Sequence, residues 1–151
     1  IFNWVLINEL AVGSAPKISN DIKKLKHSGI KSIIKLSTEE EDKTLPELKK
    51  LFIHKLFILP DHRAGTFPSL SNLKEVLTIL EELMEEGSVF VHCHACMERS
   101  PLICTSWLVK EKKLNPIEAL EYMKQVNPST NLMTEQLKLV TQSNKLFCDE
   151  K

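Results

Sequence analysis

Apolar positions along the chain change period several times, and each change marks an element. Leu73, Val76, Leu77, Leu80 and Met84 fall three and four apart, the spacing of one helix face. Asn72 with Glu75 supplies a capping box, and Gly87 a stop. Residues 102–109 are nearly all apolar, so the helix opened by Pro101 is predicted to be enclosed on every side. Three apolar runs read as strands: the β-branched residues 30–36, residues 55–59 stopped by Pro60, and residues 88–92. Residues 3–12 carry two short apolar stretches around Asn8 and Glu9. They end in the turn signal Gly13-Ser14-Ala15-Pro16, which predicts a strand pair. A short helix capped by Ser19 or Asn20 buries Ile22 and Leu25 and closes at Gly29. Two further helices are predicted, one opened by Asn115-Pro116 with Glu118, the other over about residues 132–146.

Strands alternate with helices up to residue 92, and three helices end the chain. That order predicts an α/β fold with a mixed, mainly parallel central sheet of about five strands flanked by helices. The 151 residues suit a single domain, 1–151, with a core of its own. Twenty basic and twenty acidic side chains cancel, so no broad field draws the chain to nucleic acid or to anionic lipid. No apolar run has the length of a membrane span, and residues 1–12 lack the basic start and cleavage site of a secretory signal. The expectation is a soluble cytoplasmic monomer, without contact to membrane or nucleic acid and with its four cysteines reduced. The run Glu39 to Asp42 reads as a solvated loop or as the first turn of a short helix before Phe52.

In open α/β sheets ligands bind beyond the carboxyl ends of the strands. There the chain reads His92-Cys93-His94-Ala95-Cys96-Met97-Glu98-Arg99-Ser100-Pro101. A cysteine at a strand tip, a five-residue loop and an arginine at a helix mouth form an oxyanion cradle. The loop and helix N–H groups wrap the anion, the guanidinium clamps two of its oxygens, and the same field stabilises a thiolate. With four cysteines and only two arginines, Arg63 and Arg99, in the chain, such a pair is expected by chance about 0.05 times.

His92, Cys93, Arg99 and Ser100 match the His-Cys, five residues, Arg, Ser/Thr motif, and the chain here resembles the cysteine-dependent protein phosphatases. The stretch 8–16, the segment Ser28-Gly29-Ile30 and the 99–114 helix look like the compact dual-specificity branch. The resemblance implies hydrolysis of phosphotyrosine, with phosphoserine or phosphothreonine as further substrates, through a phosphocysteine on Cys93. It assigns phosphate binding to Arg99 and to the backbone of His94, Ala95, Cys96, Met97, Glu98 and Arg99. Ser100 eases thiolate departure and His92 is a buried orienting residue. It also implies a general acid about 30 residues before the cysteine, and Leu59-Pro60-Asp61-His62 places Asp61 there. No metal or cofactor is required, and the partner is a phosphorylated protein.

The loop departs from the family in lacking the glycine usual three residues after the nucleophile. Cys96 stands there, with strain expected if the position needs positive φ. Related phosphatases of rhodanese-like fold also lack it and carry Glu before the Arg, as Glu98 does here. Cys93-x-x-Cys96 opens an alternative, a thiol–disulfide oxidoreductase, though such folds need strands after the active-site helix. Zinc binding by His92, Cys93, His94 and Cys96 is disfavoured because a strand tip points successive side chains apart. His94 and Met97 are expected at the pocket rim, His62 and Arg63 in solvent, Cys104 and Trp107 in the core, Cys148 in a frayed tail. Asn131 and Gln136 are not assigned to the site.

Overall fold

The computed structural model describes residues 1–149; the side chains of His62, Cys148 and Asp149 lie outside that description, so the readings made for His62 and Cys148 do too. Strands β1 (Phe2–Leu6) and β2 (Leu10–Ser14) form the predicted antiparallel pair. Helix α1 (Ser19–His27), β3 (Ser32–Lys35), α2 (Pro46–Leu51) and β4 (Ile53–Leu56) follow. After a single 3-10 turn at His62–Ala64 come α3 (Leu70–Met84), β5 (Val89–Cys93), α4 (Arg99–Glu111), α5 (Pro116–Val126) and α6 (Thr134–Asp149). The sheet runs β1-β2-β5-β3-β4, parallel except at β1.

Alternation along the strands divides the core between two faces. Ala11, Ile33 and Phe90 pack with Ile22 and Leu25 of α1 and with Leu48 and Phe52 around α2. Leu10, Val12, Ile34, Val89 and Val91 meet α3 to α6 on the other face. Helix α1 ends as Gly29 predicts: the glycine takes φ +82°, and Ile30 N–H donates back to the Leu25 carbonyl at 3.1 Å. Helix α4 is buried from Arg99 through Val109, the enclosed helix its composition required.

Several boundaries differ from the sequence reading, among them the start of α1, where Asp21 Oδ2 accepts from the Ile18 N–H in place of a Ser19 or Asn20 cap. The cap of α3 is Ser69 with Asn72, each side chain holding the other's N–H, rather than Asn72 with Glu75. The helix therefore opens on Leu70, which packs on the core one turn ahead of Leu73. Strand β4 spans 53–56 instead of 55–59, because its partner β3 ends at Lys35, opposite Leu56. Leu56 and Ile58 are exposed, and Leu59 anchors the following loop in the core.

Strand β5 is central. Cys93 pairs with Ser14 of β2, and His92 with Lys35 of β3. The carboxyl ends of the three strands therefore form one rim, and the loops 36–45, 57–69 and 94–98 rise from it.

Candidate active site

Cys93 ends β5 at 2% exposure, and its Sγ lies 3.2 Å from Ser100 Oγ in the first turn of α4. The hydroxyl is placed to donate to the sulfur. His92 is buried beneath with Nδ1 3.2 Å from the Cys93 carbonyl, stacked on Phe90. Burial holds its pKa down at about 4, so the ring is neutral near pH 7 and orients rather than exchanges protons.

Arg99 is nearly sealed, with its side chain 3% exposed. Both terminal nitrogens grip Glu41, Nη2 to Oε1 at 2.7 Å and Nη1 to Oε2 at 3.1 Å. Those bonds hold the Glu41 carboxyl below the ordinary range. The buried Nε has no hydrogen-bond partner among the described residues, and Nη1 and Nη2 each keep a second N–H beyond the Glu41 bonds. Glu41 Oε1 also accepts from Arg63 at 3.4 Å, so the chain's two arginines meet on one carboxylate.

Arg63 in turn holds Asp61, with Nε 2.8 Å from Oδ2 and the backbone N–H 3.1 Å from Oδ1. Arg99 Nη2 lies 3.7 Å from the same Oδ2. Burial alone pushes the Asp61 carboxyl up, but the bonds from Arg63 and the charge of Arg99 bring it down to about 2. Asp61, Arg63, Cys93, Arg99, Met97 and Met133 are among the walls of one pocket of about 180 Å³. Of the assigned residues, Asp61, Cys93, His94, Ala95, Met97, Glu98 and Arg99 line this pocket, Cys96 lies in its loop, and His92 and Ser100 sit behind it in β5 and α4. Cys96 is buried in the loop's outer side with φ +59°, the strained conformation expected for a residue in a glycine position. Met97 is 44% exposed, and His94 half-buried at the rim.

The acidic run needs correction. Only Glu40 and Glu39 face water; Glu41 clamps Arg99, and Asp42, 7% exposed, accepts from His94 Nδ1 at 2.8 Å. The loop is fixed by Lys35, buried at 1%. Its ammonium donates to Glu39 Oε1 at 3.0 Å, to Thr44 Oγ1 at 2.9 Å and to the Asp42 carbonyl. A lysine closing a β-branched strand beside four acids was the available signal for this pairing. Arg63 is exposed as expected, its side chain at 57%, and its guanidinium is ion-paired as well. Asn131 lines the pocket, and its N–H donates to the Met97 carbonyl at 2.7 Å; Gln136 caps the Met133 N–H.

The redox alternative finds no strand after α4 among the described residues, and burial with the neighbouring Cys93 charge pushes the Cys96 thiol up to about 12. Such a thiol is a poor partner in disulfide exchange. Cys104 is wholly buried and Trp107 3% exposed, both in the core.

The sequence model of the dual specificity phosphatase catalytic domain matches residues 10–145. Dual specificity protein phosphatase 5 of Rattus norvegicus is 36% identical over 84 residues, 52% of this chain and 22% of the relative. The phosphatidylglycerophosphate phosphatase PTPMT2 of Arabidopsis thaliana is 22% identical over 144 residues, 95% of this chain and 63% of its own. The chain thus spans less than two thirds of either relative. Among solved structures, PTPMT1 in complex with PI(5)P superposes with a TM-score of 0.86 at 19% identity, covering 99% of this chain and 97% of that one. The human serine/threonine/tyrosine-interacting protein superposes at 0.85 and 16%, covering 97% of each chain. Because the catalytic-domain model spans residues 10–145, most of the chain, this chain belongs to the dual specificity phosphatase catalytic-domain family of cysteine-dependent hydrolases.

Proposed function

We propose that the chain hydrolyses phosphomonoesters on proteins, phosphotyrosine first, through a phosphocysteine on Cys93. One arrangement carries the reading: Cys93 Sγ beside Ser100 Oγ, with buried Arg99 held by Glu41 in the wall of the same pocket and N–H groups to spare. Cys93 thiolate attacks phosphorus in line and the bond to the leaving oxygen breaks. The loop N–H groups and Arg99 stabilise the equatorial oxygens. Asp61 donates its proton to the leaving oxygen. The arriving phosphate dianion favours the protonated carboxyl by like-charge repulsion and competes for Arg63. Water then attacks phosphorus, Asp61 takes its proton, and the S–P bond breaks as Ser100 donates to the departing thiolate.

Substrate preference follows from the walls. Met97 and Met133 give apolar sides to a narrow pocket, which suits an aromatic ring, and its lining includes no lysine to favour a polyanion. A second reading, a phospholipid monoester, is supported by a match to a phosphatidylglycerophosphate phosphatase that covers 95% of this chain.

The test is metal-free hydrolysis of phenyl phosphate and a phosphotyrosine peptide by the unmodified chain, Cys93→Ser and Asp61→Asn. Cys93→Ser is expected to abolish turnover, and Asp61→Asn to lower it about 10²–10³-fold. Turnover surviving Cys93→Ser, or insulin reduction without phosphate release, overturns the proposal. Phosphatidylglycerophosphate in mixed micelles cleaved with the higher kcat/KM moves the assignment to lipid.

A further inference from the structure

A loop that aims its N–H groups at an anion turns its carbonyls outward, and where protein lies outside, those carbonyls need donors. For Cys96 and Met97 the donors come from one segment, residues 127–131 between α5 and α6. Asn131 N–H serves the Met97 carbonyl, while Ser129 Oγ at 2.9 Å and Asn127 Nδ2 at 3.2 Å share that of Cys96. Cys96 is also the residue in the left-handed region, where a side chain meets its own backbone.

Asn127 is fully buried and every polar atom of its side chain is used. Besides the Cys96 carbonyl, Nδ2 donates to Thr130 Oγ1 at 2.9 Å, which fixes the amide's orientation. Oδ1 accepts from Asn3 Nδ2 at 2.8 Å and faces Cys96 Sγ at 3.6 Å. One amide therefore grips Cys96 by carbonyl and side chain together. Deletion of either donor leaves the Cys96 carbonyl with one partner of two and the strained conformation less firmly held.

We propose that Asn127, with Ser129, is a positioning residue that holds Cys96 in the conformation glycine adopts freely, and so keeps the anion cradle formed in a loop without glycine. The inference rests on the phosphatase reading only in that the loop must hold a tetrahedral oxyanion. Neither residue touches the substrate; both act on the loop from behind.

Orthovanadate affinity, read as inhibition and by calorimetry on the full chain, tests this in a double-mutant cycle. Asn127→Leu and Ser129→Ala are made in the unmodified chain and again together with Cys96→Gly. In the unmodified chain Asn127→Leu is expected to weaken orthovanadate about tenfold and Ser129→Ala about threefold. Measured against C96G alone, each is expected to cost less than about twofold. Equal losses in both backgrounds, or unchanged affinity in the presence of Cys96, overturn the proposal. Ser129 is half-buried, so Ser129→Ala decides the matter if Asn127→Leu does not fold. An unmodified chain that binds no orthovanadate fails at the earlier step and removes the phosphatase reading along with this one.

Discussion

Arg63→Gln separates two consequences of one ion pair. Asp61 sits at about 2 against an ordinary 3.8, a gap of nearly two units, and each unit corresponds to about 1.4 kcal/mol. The gap is then roughly 2 kcal/mol, and because the Arg63 side chain is 57% exposed, solvent screening leaves about 1 kcal/mol as stability. A depressed carboxylate stabilises the fold above its unfolded pKa, near 3.8, and that contribution disappears as pH falls through about 2. Arg63→Gln therefore lowers stability by about 1 kcal/mol at pH 6 and by nothing at the acid extreme. Catalysis moves the other way. At pH 6 a carboxyl of pKa about 2 is protonated about once in 10⁴ molecules, and one near 4 about once in 10². The ceiling on the gain in general-acid competence is thus about a hundredfold. The assay is kcat/KM against pH, between about 3.5 and 7.5, with phenyl phosphate and with 2,4-dinitrophenyl phosphate, whose leaving group departs without a proton. The descending limb for phenyl phosphate is expected to move up by one to two units, roughly, with little change for the dinitrophenyl ester. A limb that stays in place refutes the reasoning. Loss of phenyl phosphate turnover at every pH, as expected of Asp61→Asn, refutes it as well, because Arg63 would then place Asp61 rather than restrain its proton.

Two further variants test the wiring of the site. Lys35→Met removes three donors from the 39–44 loop and is expected to cost roughly 2 kcal/mol, a fall in Tm of about 4–8 °C, with looser orthovanadate binding as Glu41 loses its place; an unchanged Tm and affinity would refute this role. Ser100→Ala leaves Cys93 without its hydroxyl donor at 3.2 Å, so a burst of phenol followed by a steady state slowed about tenfold is expected in stopped-flow assays, and no burst would place its effect before the intermediate.

Much of this was legible locally. Gly29 after a short amphipathic helix, the all-apolar face of α4, and the Cys93 to Ser100 spacing are signals carried within a few residues, and each appears in the structure where it was read. The misreadings share a cause. Residues 55–59 looked like a strand because their apolar content is high, yet strand length is set by the partner, and β3 ends opposite Leu56. Residues 39–42 looked solvated because a run of like charges normally is, and nothing within the run announces a buried arginine 58 residues away.

The strand-to-helix junction, its cysteine and its guanidinium were determined by the order of residues alone, since hydrophobic period, caps and helix dipole act over one or two turns. Tertiary structure decided which distant groups surround them: Glu41 on Arg99 and Asn127 behind Cys96. Those pairings form only after the sheet sets β5 between β2 and β3, because a charge or an amide selects its partner by distance in space, and distance along the chain carries no record of it.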